Sequence, residues 1–164
     1  MKISNKMADV ISKQINKEFY SGYLYLSMAA YFESNNLSGF AHWMKIQAKE
    51  EQEHGLKFYE YVLERGGNIE LFSIEKPKSD WKSPLDVFKF TYEHEQMVTE
   101  MIYNLMDFAR AEKDLATEEL LYWFIKEQVE EESNASKILE RLEMMKDSTG
   151  GLLIIDKELG KRGE

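Results

Sequence analysis

Glu18, Glu51 and His54 are residue types that bind divalent metals, and their spacing recurs. Glu51 follows Glu18 by 33 positions and His54 follows Glu51 by three. Glu95, Gln128 and Glu131 repeat both intervals, each displaced by 77 positions. An i, i+3 pair lies on one face of a helix, one turn apart, so Glu51 and His54 can grip one ion while Glu18 approaches from a facing helix. Glu95 and Glu131 are then the natural ligands of a second ion, with Glu51 able to bridge the two. Gln128 carries no charge and is the weaker or outer ligand of the set. Carboxylate oxygens with imidazole nitrogen suit Fe(II), with Mn(II) and Zn(II) as competitors. The pattern therefore points to a two-metal site with redox iron chemistry.

Other groups near these positions have two readings each. Glu50, Glu127 and Glu130 adjoin the ligands and serve either a third metal position or relay, or a solvated outer helix face. Tyr25 lies two turns beyond Glu18, where it hydrogen-bonds a ligand or supplies an electron, or simply fills the core. Trp123 has the same two readings. His42 and His94 fit surface or packing roles, since His94 points about 100° away from Glu95.

Four long helices must position this set. The first runs from about Asn5 to Ser34, capped by Ser4. Met7, Ile11, Gln14, Glu18, Ser21, Tyr25, Met28 and Phe32 recur at steps of three and four, the helical period. The second runs from Leu37 or Ser38 to Arg65, with Phe40, Met44, Gln47, Glu51, His54, Phe58 and Tyr61 on one stripe, and Gly66–Gly67 ends it. Residues 67–83 show no helix period, and are long enough to run the length of a 30-residue helix, about 45 Å. Ser83 caps a third helix with Pro84 in its first turn. Its stripe is Phe88, Tyr92, Glu95, Thr99, Ile102, Met106 and Ala109. A fourth, from near Asp114 to about Lys146, carries Leu121, Phe124, Gln128, Glu131, Ala135, Ile138, Leu142 and Met145. Thr149–Gly150–Gly151 is expected to break the chain before a short apolar segment, Leu152 to Leu159. That segment is too short to stand alone, so it needs burial against another subunit or on its own helices.

Composition excludes several classes. With no cysteine in 164 residues, disulfides, thiolate zinc sites and iron–sulfur clusters are absent. A net charge of −9 with no basic stripe argues against nucleic-acid binding. No apolar run reaches the roughly 18 residues of a membrane span, and the polar, periodic N-terminus lacks the apolar core of a signal peptide. A soluble, cytoplasmic protein is expected.

Taken together, NKEFYSGYLYLSMAAYF, AKEEQEH, YEHEQ, EQVEEE and GLLIIDKEL resemble the prokaryotic non-haem ferritins over nearly the whole chain. The resemblance implies an all-α fold: a ferritin-like four-helix bundle over residues 4–147, with a long connection between its second and third helices. A short C-terminal fifth helix and tail over 149–162 complete a single domain spanning 1–164. It implies a homo-oligomeric shell, usually of 24 subunits, that oxidises Fe(II) with dioxygen or peroxide and stores Fe(III) as a hydrated mineral. On that resemblance the dinuclear iron centre is Glu18, Glu51, His54, Glu95 and Glu131, with Gln128 near the second iron. Glu50, Glu127 and Glu130 match a third iron site, joined by Glu131, and Tyr25 matches the family's tyrosine beside the centre. The short fifth helix resembles one that lines a symmetry axis. Haem is not expected: bacterioferritin carries its haem-ligating methionine where this chain has Gln52, and has Glu-x-x-His where this chain has Gln128-x-x-Glu131. The alternative is a diiron or dimanganese oxidase without mineral storage.

Overall fold

The computed structural model describes residues 1–164. Five helices follow one another: α1 (Asn5–Ser34), α2 (Ser38–Glu64), α3 (Pro84–Ala111), α4 (Leu115–Met144) and α5 (Thr149–Leu159). They fall into two compact units. One comprises residues 1–81 and 147–164, and the other residues 82–146.

In the first unit α1 and α2 pack as a hairpin. Ser4 starts α1 by accepting from the Met7 amide at 3.1 Å. The turn closes through Asn36, whose φ of 57° suits asparagine better than a bulkier side chain. The two helices approach closely around the future site. A Cβ on Gly22 would meet the Ala48 carbonyl oxygen at 3.0 Å, and one on Gly55 would overlap the Phe19 ring at 2.5 Å. All eight residues of the expected α1 stripe are buried, as are those of α2 except Tyr61, which is half-buried. Gly66, at φ 66°, lets the chain leave α2.

The connection from residue 65 to 83 contains no helix, and α1 satisfies its backbone. The Ser12 hydroxyl accepts from the Glu70 amide, Asn16 donates to the Phe72 and Ser73 carbonyls, and Ser27 donates to the Lys78 carbonyl at 2.7 Å. Trp81 ends the run edge-on to Tyr31. From Ser12 to Tyr31 the segment follows about 28 Å of helix.

Two expectations near the C-terminus need correction. Gly150 and Gly151 do not break the chain; they form the first turn of α5, whose cap is Ser148, accepting from the Gly151 amide at 3.0 Å. The break lies earlier, at Asp147 with φ 65°, and Met145 is the exposed C-cap of α4 rather than part of its apolar face. The first turn tolerates glycine because a side-chain cap supplies what the backbone lacks. Helix α5 packs on α2, burying Ile155 and Leu159. Asp156 accepts from the Phe40 amide at 3.0 Å, so it caps the start of α2. This seat requires glycine at 39, where a Cβ would fall 1.7 Å from the Asp156 carbonyl oxygen. Leu153 and Ile154 stay 54% and 56% exposed, so docking within the chain accounts for only part of the apolar segment.

In the second unit α3 and α4 pack together. Ser83 accepts from the Asp86 amide and Asp114 from the Thr117 amide, each at a helix start. Lys113, at φ 57°, makes the turn between them. Phe88, Glu95, Ile102, Met106 and Ala109 are buried on α3, with Tyr92 and Thr99 half-buried.

Candidate metal centre

Glu18, Glu51 and His54 come together. One ligand atom from each lies within 4.8 Å of the others, and all three residues are buried. The i, i+3 spacing places His54 Nδ1 3.3 Å from Glu51 Oε2. Glu18 reaches them from α1, across the gap narrowed by Gly22 and Gly55.

Two glutamines orient the carboxylates. Gln14 Nε2 donates to Glu18 Oε1 at 2.7 Å, and Gln47 Nε2 donates to Glu51 Oε1 at 3.1 Å. Each stands four residues before its acid, one turn earlier on the same face. Both glutamines belong to the apolar stripes, but sequence reasoning assigned neither a role. The legible signal was a buried Gln-x-x-x-Glu occurring on both helices.

This arrangement is electrostatically unfavourable without a cation. The Glu18 carboxyl is raised from 4.5 to about 8, chiefly by burial and next by the nearby Glu51 charge. The Gln14 hydrogen bond and His54 act in the opposite direction and do not offset those effects. Two carboxylates and an imidazole, dry and converging, are a donor set that a divalent cation fits: it removes the mutual repulsion and replaces lost solvation.

The second unit holds a related but different cluster. Glu95, Gln128 and Glu131 are all buried. Gln128 Nε2 lies 3.2 Å from both the Glu95 carbonyl and the Glu95 carboxylate, and 3.3 Å from the Thr99 hydroxyl. Because the Glu95 atoms only accept, the amide nitrogen must face them. Thr99 in turn is 2.6 Å from Glu132 Oε1. Gln128 thus supports Glu95. Thr99 and Glu132 are further partners that spacing did not single out.

The remaining residues vary. Tyr25 is wholly buried on α1. Glu50 and Glu127 are half-buried and Glu130 is exposed. Glu50 is ion-paired to Arg162. Trp123 is half-buried, edge-on to Phe124. His94 is buried, and burial lowers its imidazole from 6.5 to about 4, so it packs as a neutral ring. His42 is half-buried, its Nε2 2.8 Å from the Arg162 carbonyl. No helix is long and apolar enough to cross a membrane.

Known proteins share both the fold and the sequence. Residues 8–145 match the ferritin-like domain family. A bacterial non-heme ferritin of Bacteroides fragilis is 42% identical over 98% of this chain and 99% of its own. One from Staphylococcus aureus is 39% identical over 98% and 96%. An open-pore ferritin from the hyperthermophilic archaeon Archaeoglobus fulgidus superposes with a TM-score of 0.97 at 48% identity, covering 99% of each chain. The expected fold class holds: an all-α, ferritin-like four-helix bundle with a long connection before its third helix and a short fifth helix. With a buried Glu–Glu–His cluster of metal-binding geometry set in that fold, this chain belongs to the bacterial and archaeal non-haem ferritin family.

Proposed function

We propose that this protein is an iron-storage ferritin: it oxidises Fe(II) at an intrasubunit dinuclear ferroxidase centre and retains Fe(III) as mineral inside a cytoplasmic shell, most simply of 24 copies. The observation that carries this reading is the buried convergence of Glu18, Glu51 and His54 in a chain 42% identical to a bacterial non-heme ferritin. In this reading those three residues hold one iron of the substrate pair. Glu95 and Glu131 would supply the second, with Gln128 orienting Glu95. Each Fe(II) gives up one electron, and dioxygen accepts the pair with two protons to leave peroxide. Peroxide itself is the other candidate oxidant, accepting two electrons and two protons to leave water. Buried glutamines fix the carboxylates, and the dry surroundings keep each charge–metal interaction strong. Tyr25 stands ready as hydrogen-bond partner or electron donor. Glu50, Glu127, Glu130 and Glu131 take a further iron on its way to the interior.

The test is anaerobic Fe(II) loading of the purified protein, followed by oxygen, with native mass and retained iron recorded together. Two or three irons bound per subunit, rapid oxidation and a large iron-filled shell are expected. Rapid oxidation without a shell or retained iron overturns the storage half and leaves a diiron oxidase. Unchanged oxidation in the Glu51→Ala/His54→Ala double variant overturns the centre.

A further inference from the structure

Arg162 lies in the tail beyond α5, far in sequence from every candidate ligand, yet it grips the face of α2 next to Glu51. Its guanidinium carbon sits 4.4 Å from the centroid of the Trp43 ring. Nη1 donates to the Trp43 carbonyl at 3.2 Å and to Gln47 Oε1 at 3.0 Å, and Nη2 pairs with the Glu50 carboxylate. The Arg162 carbonyl is 2.8 Å from His42 Nε2. Stacking, a planar fork and an ion pair together hold this side chain in one orientation.

The consequence falls on Gln47. A guanidinium has donors and no acceptor, so the Gln47 atom facing it must be the amide oxygen. The amide nitrogen then has to point the other way, where it donates to Glu51 Oε1 at 3.1 Å. Glu51 accepts at one end of the amide and Arg162 donates at the other, so losing Arg162 removes one of the two restraints on where the Gln47 side chain sits. Helix α5 delivers Arg162 to this place, because Asp156 on the Phe40 amide and the close seat at Gly39 hold the tail on α2.

We propose that Arg162 is a positioning residue for the metal centre: acting through Gln47, it fixes the Glu51 carboxylate in the orientation that binds metal. This rests on the Glu18–Glu51–His54 reading above. It also gives α5 a task within its own chain.

The test uses Co(II) titrations of the full-length assembled protein, read by visible absorption, on Arg162→Ala, Gln47→Leu, the double variant and Glu51→Ala. Removing an outer partner of a metal ligand weakens binding by roughly 10–100-fold. Arg162→Ala and Gln47→Leu are each expected to raise the Co(II) dissociation constant about tenfold and to shift the Co(II) spectrum alike. The double variant should be no worse than either, because both act along one path. Arg162→Lys keeps the charge but not the fork, and should fail to restore the wild-type spectrum. Gln47→Leu leaves the tail's contacts with Trp43, Glu50 and His42, so it tests the relay even if Arg162→Ala fails to assemble. Wild-type Co(II) binding in both single variants, with binding lost in Glu51→Ala, overturns the positioning role alone. Additive losses in the double variant also overturn it, since they mark Arg162 as a tail anchor. Wild-type binding in Glu51→Ala overturns the centre and the proposal with it.

Discussion

The α1–α2 and α3–α4 pairs carry the same ligand spacing but resolve their buried charge differently. In the first, Glu18 and Glu51 face one another beside His54, and each is steadied by a glutamine from its own helix. The second has an amide, Gln128, where the first has Glu51, and that amide reaches across to Glu95. In the first pair, burial and then the Glu51 charge raise Glu18 to about 8, a cost that a cation would relieve. In the second, Gln128 supplies a protein donor to one of two buried acids, Glu95. Two substitutions separate the clusters: an amide stands for a carboxylate at Gln128 against Glu51, and a carboxylate for an imidazole at Glu131 against His54.

Breaking the first pair should have the largest effect. Glu51→Ala/His54→Ala is expected to slow Fe(II) oxidation by more than the roughly 10–100-fold associated with outer partners, with helicity by circular dichroism unchanged. Retained oxidation would mean that the two pairs do not differ in this way.

Exchanging the first of these differences sharpens the contrast. Gln128→Glu puts a second carboxylate beside Glu95 and removes its donor, a loss of about 1–3 kcal/mol for a buried unsatisfied group. The apo protein should melt lower, and added Zn(II) should recover the loss. Glu51→Gln is the reciprocal change: it should raise the apo melting temperature while weakening Co(II) binding. If both variants move apo stability in the same direction, the electrostatic contrast is wrong.

pH offers a subtler probe. A carboxyl whose folded value is raised favours folding while protonated. The Glu18 contribution is thus fully present below its ordinary 4.5 and is lost as pH rises through about 8. Apo melting temperature is expected to decline across that window, and Glu18→Gln should flatten the decline. A profile unchanged by Glu18→Gln would remove Glu18 as the strained group. The smallest effect belongs to Gln14→Leu, which deletes one donor to Glu18. A cost of about 1 kcal/mol in the metal-bound form, measured by thermal melting with Zn(II), is expected.

Much of this was legible in the chain because helices write their faces locally. The caps Ser4 and Ser83 and the stripes through Glu18, Glu51 and Glu95 need only near neighbours. The exceptions have particular causes. Gly150 and Gly151 signal a break by propensity, but Ser148 overrides it with a cap. Gln14 and Gln47 sat in plain view on the stripes, yet a glutamine's role depends on which end of its amide meets a partner. Glu50 is also ion-paired to Arg162, 112 residues away, a partner that no local spacing announces.

The amino-acid sequence by itself determined the helices, their buried faces and the candidate ligands, because i, i+3 and i, i+4 spacing is a property of one helix. Only the tertiary structure decided that residues 70–78 lie along α1, that α5 seats on Gly39, and that Arg162 and Glu51 meet opposite ends of the Gln47 amide. Those contacts join positions tens of residues apart, where no local period records the partner. They exist because packing brings a donor and an acceptor into a dry space where each must be satisfied.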